Sequence, residues 1–460
     1  MPNHTPGQIS ELTCFKAYDV RGKIPTQLNE SIAFLIGLAV VEYLKASAIV
    51  IGYDVRHSSP GLVESLSRGI SQAGAEVINI GLCGTEEIYF ATNFLDTDGG
   101  IMVTASHNPP DYNGMKIVGS GARPISMDSG LQEIKGLAEQ LSSNISGNSS
   151  PAAHKNIRPD YIKKILSFVE VERLRPLKVL VNAGNGCAGP AVDAIEELLP
   201  FEFVKLNHEP DGTFPNGIPN PLLKVNQTVT SDAVVEAGAD LGIAWDGDFD
   251  RCFFFDENGQ FIDNYYLIGM ISQVLLEQDK GSNIIHDPRL IWNTREEIQN
   301  YGGHPIQSKA GHSFIKEKMR EHTAIYGGEM SGHHYFKHFY FSDSGMIPWL
   351  LVTEIMSKTN QPLSELVLKR MQQYPISGEI NIKVHQPEQL LEEIKNHYQT
   401  QSVSIDDIDG YSFDFDSWRF NLRMSNTEPL VRLNVETKAD ETLLNRKTDE
   451  ILDLIETLQG

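Results

Sequence analysis

Apolar and polar positions follow two different periods along this 460-residue chain, and the change from one to the other recurs three times. Residues 49–81, IVIGYDVRHSSPGLVESLSRGISQAGAEVINIG, pass from a β-branched apolar run through a polar loop into helical spacing, then back to a strand. Residues 177–207 and 283–309 repeat the pattern. A strand, a crossover helix and a second strand require a parallel or mixed sheet, so the pattern predicts three related α/β domains. Beyond residue 370 it changes to a helix, a polar loop, alternating strands such as RFNLRMSN and LVRLNVETK, and a closing helix DETLLNRKTDEILDLIETL. That order predicts an α+β domain.

Boundaries follow from composition. The chain is too long for one core, and about 100–200 residues per domain gives three or four. LSSNISGNSSPAAHKN (141–156) is too rich in Ser, Asn and Gly to pack and reads as a linker. FFFDENGQFID (253–263) reads as a hairpin turning at Asn258-Gly259. The expected domains are therefore 1–152, 153–256, 257–370 and 371–460.

With 40% hydrophobic and 22% charged residues, most of the chain should fold. A net charge of −23 repels nucleic acid and anionic membrane, so neither is expected as a partner, and an anionic ligand would need local cations. The four cysteines, Cys14, Cys83, Cys187 and Cys252, form no CxxC pair. Reduced thiols and a cytoplasmic location fit them best. The opening MPNHTPGQISELTCFK has neither a basic start nor an apolar core, and the apolar run AFLIGLAVV is roughly nine residues against the ~20 of a membrane span. No targeting or insertion is expected.

Five stretches carry possible chemistry. Ser106 follows the apolar strand GGIMVTA, where Pro109 and Pro110 end both helix and ladder, so it sits on a loop at a strand's carboxyl end. Ligands of α/β sheets bind there, although a turn serine would look the same. A Ser–His hydrolase is disfavoured because no GxSxG elbow is present and adjacency does not aim His107 at Ser106. In GIAWDGDFDRCFFF, Asp246, Asp248 and Asp250 alternate with Gly247 and Phe249, so a bent loop could turn three carboxylates to one point. Such a trio needs a hard cation, Mg²⁺ or Ca²⁺, unless it is only an Asp-rich turn. An EF-hand is excluded because Arg251 stands at the sixth place of the loop, where glycine is needed.

NAGNGCAG places Gly184, Gly186 and Gly189 in a G-x-G-x-x-G frame between strand and helix. This raises a dinucleotide-dependent oxidoreductase as the rival from another class, against which the following strand ends in Asn207 rather than in an acid. In GEMSGH, the alternation of Glu329, Ser331 and His333 suggests an extended segment presenting all three to one side, as sugar hydroxyls require. Arg423, Ser425, Asn426 and Thr427 in RMSNTEP combine a guanidinium fork with hydroxyl and amide groups, a natural phosphate cradle or a polar turn.

Taken together, TASHNPPDYNG, DGDFDR, GEMSGH and RMSNTEP, with TEEIYFAT and DPRLIWNT, resemble the α-D-phosphohexomutase family in order and spacing, and within it the bacterial phosphomannomutase branch. The resemblance implies three related α/β domains, a C-terminal α+β domain like the TATA-box-binding protein, and an active-site cleft between them. It implies a phosphoserine at Ser106 and Mg²⁺ held by Asp246, Asp248, Asp250 and that phosphoserine. Arg251 and Lys116 would neutralise the charge, Glu329 and Ser331 would hold the hexose, and Lys116, Arg21 and His333 would be the acid/base candidates, with Tyr18, His107 and His312 in support. Arg289 stands where some members have lysine, which alters the geometry of a phosphate or sugar contact. The expected partners are hexose phosphates, bound by a monomer or homodimer.

Overall fold

The computed structural model describes residues 11–141, 151–425 and 430–459. It divides into two compact units, Met1–Phe261 with Tyr335–Lys358, and Ile262–His334 with Thr359–Gly460.

In the first unit one sheet runs in the order Val20–Lys23, Tyr112–Gly119, Gly99–Val103, Ala48–Tyr53, Glu76–Leu82, Ala153–His154. Ala48–Tyr53 is parallel to both Gly99–Val103 and Glu76–Leu82, whereas Tyr112–Gly119 is antiparallel to its neighbours. Gly99–Val103 is buried at every position, which is why its sequence is uniformly apolar rather than alternating. Helices Glu30–Leu44 and Ser59–Gln72 lay Phe34, Ile36, Val40, Leu66 and Ile70 on a core that holds Ile49, Ile51, Ile101 and Val103 of the strands. The first of these helices is capped by Asn29, whose side chain accepts from the Ile32 N–H at 3.1 Å.

A second sheet places Lys178–Asn182 parallel to Leu241–Trp245 and Glu202–Leu206, with Cys252–Phe255 antiparallel to Leu241–Trp245. All four cysteines are buried and unpaired. Among the described residues no helix is long and apolar enough to cross a membrane.

Glu86, in the first turn of helix Thr85–Phe94, ties three segments of this unit together. Its fully buried carboxylate accepts from the Tyr161 and Ser344 hydroxyls and from the N–H groups of Gly345 and Met346, at the start of helix Ile347–Thr359.

In the second unit Asn283–His286 lies parallel to both His304–Gln307 and Tyr326–Gly328. The C-terminal sheet is antiparallel throughout, in the order Ile380–Lys383, Leu430–Thr437, Trp418–Met424, Tyr411–Asp414, Ser404–Asp406. Leu390, Ile394 and Tyr398 of helix Pro387–Tyr398 and Ile451 and Ile455 of helix Glu441–Gln459 cover one face, against Phe413, Phe420, Leu422, Leu433 and Val435. The strands alternate in polarity, yet all their polar members except Arg432 are buried as well. Glu436 accounts for part of this: its carboxylate accepts from the Arg419 guanidinium at 3.0 Å, the Ile291 N–H at 2.8 Å and the Tyr265 hydroxyl.

Replacing Glu86 by alanine removes the carboxyl acceptor of the Tyr161 and Ser344 hydroxyls and of the Gly345 N–H, while the Met346 N–H keeps Ser344 Oγ at 3.1 Å, at a cost of ~3 kcal/mol or more. The expected result in calorimetry is a thermal midpoint lowered by roughly 6 °C or more. An unchanged midpoint would show that Glu86 ties nothing together.

Candidate active site

Ser106 lies three residues past the Gly99–Val103 strand and is 4% exposed. Its backbone has φ 47°, a left-handed conformation uncommon for a residue other than glycine, and a buried frame holds it there. Arg56 donates to the carbonyl oxygens of Ser106 at 2.9 Å, Asn108 at 2.7 Å, Pro109 at 2.6 Å and Tyr112 at 3.0 Å. Asp54 accepts from Arg56 Nε at 3.1 Å and from the hydroxyls of Ser59 and Thr104 at 2.6 and 2.8 Å, and Thr104 Oγ1 accepts from the Ser106 N–H at 2.8 Å. Arg21 braces the same loop through the Ala105 carbonyl at 3.0 Å and the Asn108 side chain. Tyr18 is half-buried in the bend that precedes Arg21.

The acidic loop begins where the buried strand Leu241–Trp245 ends, so both loops leave the carboxyl ends of strands. The two meet closely. A Cβ on Gly247 would come within 2.6 Å of the Ser106 carbonyl oxygen, so only glycine fits. Ser106 Oγ donates to Asp246 Oδ2 at 2.7 Å, and one oxygen from each of Asp246, Asp248 and Asp250 lies within 4.8 Å of the others. Arg251 donates twice to Asp246, at 2.8 and 2.7 Å. Lys116, on strand Tyr112–Gly119, donates to Asp248 at 2.7 Å and to Asp250. Thr85 donates to Asp248 at 2.6 Å.

Burial pushes the Asp246 carboxyl up to about 6, with Asp250 and Asp248 adding repulsion and Arg251 and Lys116 opposing it. Burial alone would lower Lys116, but Asp248 and Asp250 outweigh it and hold the ammonium above its ordinary range. His107 is driven well below the usual imidazole range by burial and by Arg251, Arg21 and Lys116, so its ring is neutral. Its Nδ1 lies 3.0 Å from Ser106 Oγ. Arg251 Nη2 donates to the same Nδ1 at 2.6 Å, so the proton sits on Nε2 and Nδ1 is occupied by a permanent donor. A Ser–His hydrolase pair is therefore not formed.

The residues fit a divalent cation. Three buried carboxylates face one another, burial and the repulsion of its neighbours raise Asp246, and Asp248 Oδ1 is buried with no hydrogen-bond partner. An all-oxygen donor set suits a hard metal ion.

The glycine-rich turn packs closely against protein, which opposes the rival reading of a dinucleotide site. The Cys187 N–H donates to the Gly247 carbonyl at 2.9 Å, and a Cβ on Gly186 would meet that oxygen at 2.6 Å. NAGNGCAG buttresses the acidic loop, and the space a pyrophosphate would need is filled by protein backbone.

In the second unit GEMSGH is a turn, not the extended segment expected. The Glu329 N–H donates to the His333 carbonyl at 2.9 Å and the Gly332 N–H to the Glu329 carbonyl at 3.0 Å, a closure that Gly332 permits with φ 97°. The turn still gathers the three side chains: His333 Nδ1 lies 3.2 Å from Glu329 and 3.1 Å from Ser331. Glu329 also accepts from the Gly311 N–H at 2.7 Å, beside the half-buried His312 that opens helix His312–Glu321. Asp287 joins this turn to Arg289, accepting from the Met330 N–H at 3.2 Å and from the Arg289 guanidinium at 2.8 and 2.9 Å. Arg423 lies at the end of strand Trp418–Met424, and the Ser425 N–H donates to the Leu430 carbonyl at 2.9 Å. Asn426 and Thr427 lie outside the described residues. Both arginines reach Glu379: Arg289 Nη1 at 2.9 Å and Arg423 Nη2 at 3.2 Å. Burial would raise Glu379, but Arg289, Arg423 and Arg432 bring it down to about 2.

Comparison with known proteins decides what this arrangement belongs to. The sequence matches the phosphoglucomutase/phosphomannomutase alpha/beta/alpha domains I, II and III over residues 13–144, 159–259 and 263–374, and the C-terminal domain of the same group over 379–454. A phosphomannomutase of Escherichia coli (strain K12) is 51% identical over 454 residues, covering 97% of this chain and 100% of that protein. The chain belongs to the phosphoglucomutase/phosphomannomutase family. A protein of Xanthomonas campestris pv. campestris (strain B100) described as "Phosphohexose mutases" is 54% identical, over 96% of this chain and 99% of its own. The crystal structure of a phosphoglucomutase/phosphomannomutase family protein from Burkholderia thailandensis superimposes with a TM-score of 0.87 at 30% identity, over 98% of each chain. This family member is an enzyme of the isomerase class, a phosphohexomutase of carbohydrate metabolism with a divalent-metal site.

Sequence reasoning overlooked Asp54, Arg56 and Glu379. The first two had a signal in GYDVRHSS, an acid and a base two apart on the polar loop of the first repeat. Glu379, a lone acid before a strand, had none.

Because Glu379 is depressed in the fold, its ionised form stabilises the native state fully above the ordinary carboxylate range, and this contribution fades as pH falls toward 2. The difference in thermal midpoint between wild type and Glu379→Gln should therefore be constant from about pH 5 to 8 and shrink below about pH 4.5. A difference that grows on acidification would contradict the assignment.

Proposed function

We propose that this phosphohexomutase interconverts α-D-mannose 1-phosphate and D-mannose 6-phosphate, with Ser106 carrying the phosphoryl group. The observation that supports this best is the Ser106 hydroxyl, 2.7 Å from Asp246 in a nest of three carboxylates that Arg251 and Lys116 face. Mannose is favoured as the sugar by the 51% identity to the Escherichia coli phosphomannomutase. The mannose 1-phosphate so formed suits a nucleotidyl transfer that makes a sugar nucleotide such as GDP-mannose.

In the proposed cycle the free hydroxyl of the hexose monophosphate attacks the phosphorus on Ser106 Oγ. Its O–P bond forms as the Oγ–P bond breaks, the electron pair stays on Oγ, and the hydroxyl proton passes to a base. The product is mannose 1,6-bisphosphate. After Oγ has been protonated and the bisphosphate has turned end for end, Ser106 Oγ gives up that proton to a base and attacks the other phosphorus; the new Oγ–P bond forms as the sugar O–P bond breaks, the sugar oxygen takes a proton, and the isomeric monophosphate is released. Arg251 and Lys116 offset the roughly two negative charges of a phosphoserine. Lys116, kept protonated by Asp248 and Asp250, is suited to give a proton from Nζ to an oxyanion, while Arg21 and His333 are the other proton-handling candidates. Asp246, Asp248, Asp250 and Ser106 would hold Mg²⁺, which when bound draws charge from the transferring group. Glu329 and Ser331 would take the sugar hydroxyls, with Tyr18, His107 and His312 in support. Arg289, Arg423, Ser425, Asn426 and Thr427 would take the phosphate not being transferred.

A dual mannose and glucose mutase is the second reading, favoured by the domain matches shared with phosphoglucomutases and by the Xanthomonas relative's description. Rates on the two 1-phosphates decide between them.

Ser106→Ala should lower turnover of mannose 1-phosphate by roughly a thousandfold or more, and should lack any phosphoryl adduct found on the wild type by intact-protein mass. Normal turnover in that variant would end the reading. Chelation by EDTA should stop wild-type turnover and added magnesium should restore it; activity indifferent to chelation would remove the metal from the scheme.

A further inference from the structure

The unit formed by Ile262–His334 with Thr359–Gly460 contains a cluster of like charges, in which Asp287 faces Arg289 and Asp409 faces Arg423 at 3.8 Å. Arg423 and Arg432 are direct partners across the antiparallel strands Trp418–Met424 and Leu430–Thr437, where like charges repel. Arg289 is a third guanidinium beside them. Glu379 meets all three: its Oε2 accepts from Arg289 at 2.9 Å and Arg423 at 3.2 Å, and its Oε1 faces Arg432 at 3.3 Å. The backbone places it there, because Glu379 directly precedes strand Ile380–Lys383, in which Asn381 pairs with Arg432.

Carboxylate and phosphate compete for the same guanidinium N–H groups, since each presents anionic oxygens to the planar fork. The competition is open to solvent: the side chains of Glu379 and Arg432 are 24% and 28% exposed, while Arg289 is 5% exposed and is also fixed by Asp287. Arg423 Nε is buried without a partner, so this guanidinium has donor capacity that the carboxylate does not use. A reversible mutase needs such restraint. A clamp that binds the phosphate of substrate and product too well lowers KM without raising kcat, and slows the step in which the phosphate must let go.

We infer that Glu379 is the internal counterion of the phosphate clamp: it aligns Arg289, Arg423 and Arg432 before a hexose phosphate arrives and competes with that phosphate, setting the grip weak enough for release. This rests on the reading of Arg423 as a phosphate ligand. Glu379 is a positioning residue, acting through the arginines.

The test is Glu379→Gln, which keeps the shape and an acceptor oxygen but removes the charge. Calorimetric titration should show mannose 6-phosphate and inorganic phosphate each binding about tenfold more tightly than to wild type. KM and kcat should fall together, a split that simple loss of structure does not produce. Glu379→Asp, which draws the charge back by one methylene, should bind two- to threefold more tightly, about the effect of a loosened ion pair. Unchanged or weaker phosphate binding in a folded Glu379→Gln protein overturns the inference. Should that variant not fold, Glu379→Asp decides, and affinity at or below wild type overturns it. Arg423→Ala separates the two levels. If it leaves phosphate binding unchanged, the clamp reading itself is overturned; if it weakens binding while both Glu379 variants match wild type, only the role of Glu379 is.

Discussion

Three carboxylates buried within one loop repel one another, and much of the first unit answers that repulsion. Arg251 is adjacent in sequence and takes Asp246; Lys116 comes from another sheet and takes Asp248 and Asp250. Those contacts fix the Tyr112–Gly119 strand against the DGDFDR loop, and the same approach brings the Ser106 carbonyl so close that Gly247 can carry no side chain. Position and charge are thus coupled. A nucleophile beside this loop sits in a field that suits a metal ion and a phosphoryl group, because the loop is short of positive charge and its cationic neighbours are permanent or held protonated.

The second unit solves the reverse problem. Its concentration of charge is positive, and carboxylates from within the chain answer it: Asp287 for Arg289, Glu379 for the trio, Glu436 for Arg419. Glu436 and Glu379 illustrate two fates of the same chemistry. Glu436 is fully buried, pairs with Arg419 and accepts a backbone N–H and a tyrosine hydroxyl, so it closes a protein face permanently. Glu379 is partly open to solvent and holds arginines that have other work in the proposed cycle. Burial decides which ion pair is structural and which is exchangeable, because water and a dissolved anion can compete only for the latter.

The fold was legible where a single physical rule governs local sequence. Strand Gly99–Val103 reads as buried because every residue is apolar, and each of the three repeats has its parallel strand pair at the expected place. The acidic trio was legible for a similar reason, since like charges so close in sequence demand explanation. The remainder depended on partners far away in the chain. Alternation in Trp418–Met424 does not announce that Arg419 and Asn421 are buried, because the groups that pair with them lie more distant in sequence. GEMSGH alternates like a strand but closes into a turn, because Gly332 can take a positive φ and Glu329 finds a backbone acceptor four residues on. The G-x-G-x-x-G frame is ambiguous for the opposite reason: small residues allow close approach, and the pattern does not say whether ligand or protein makes it.

The charge clusters of the two units are opposite in sign, and this bears on the proposed cycle. A phosphoryl group in transfer needs a cation-loaded carboxylate nest, whereas a phosphate that is only being held needs fixed guanidiniums with no nucleophile among them. In the proposed cycle the sugar bisphosphate carries one phosphate in each role, and reversal of the sugar exchanges the two roles. Since a guanidinium fork reads phosphate geometry and not the sugar behind it, the same arginines would serve both orientations in that cycle. Discrimination between orientations then has to reside with groups that contact hydroxyls, and Glu329 and Ser331, gathered by one glycine-permitted turn, are the side chains with that chemistry.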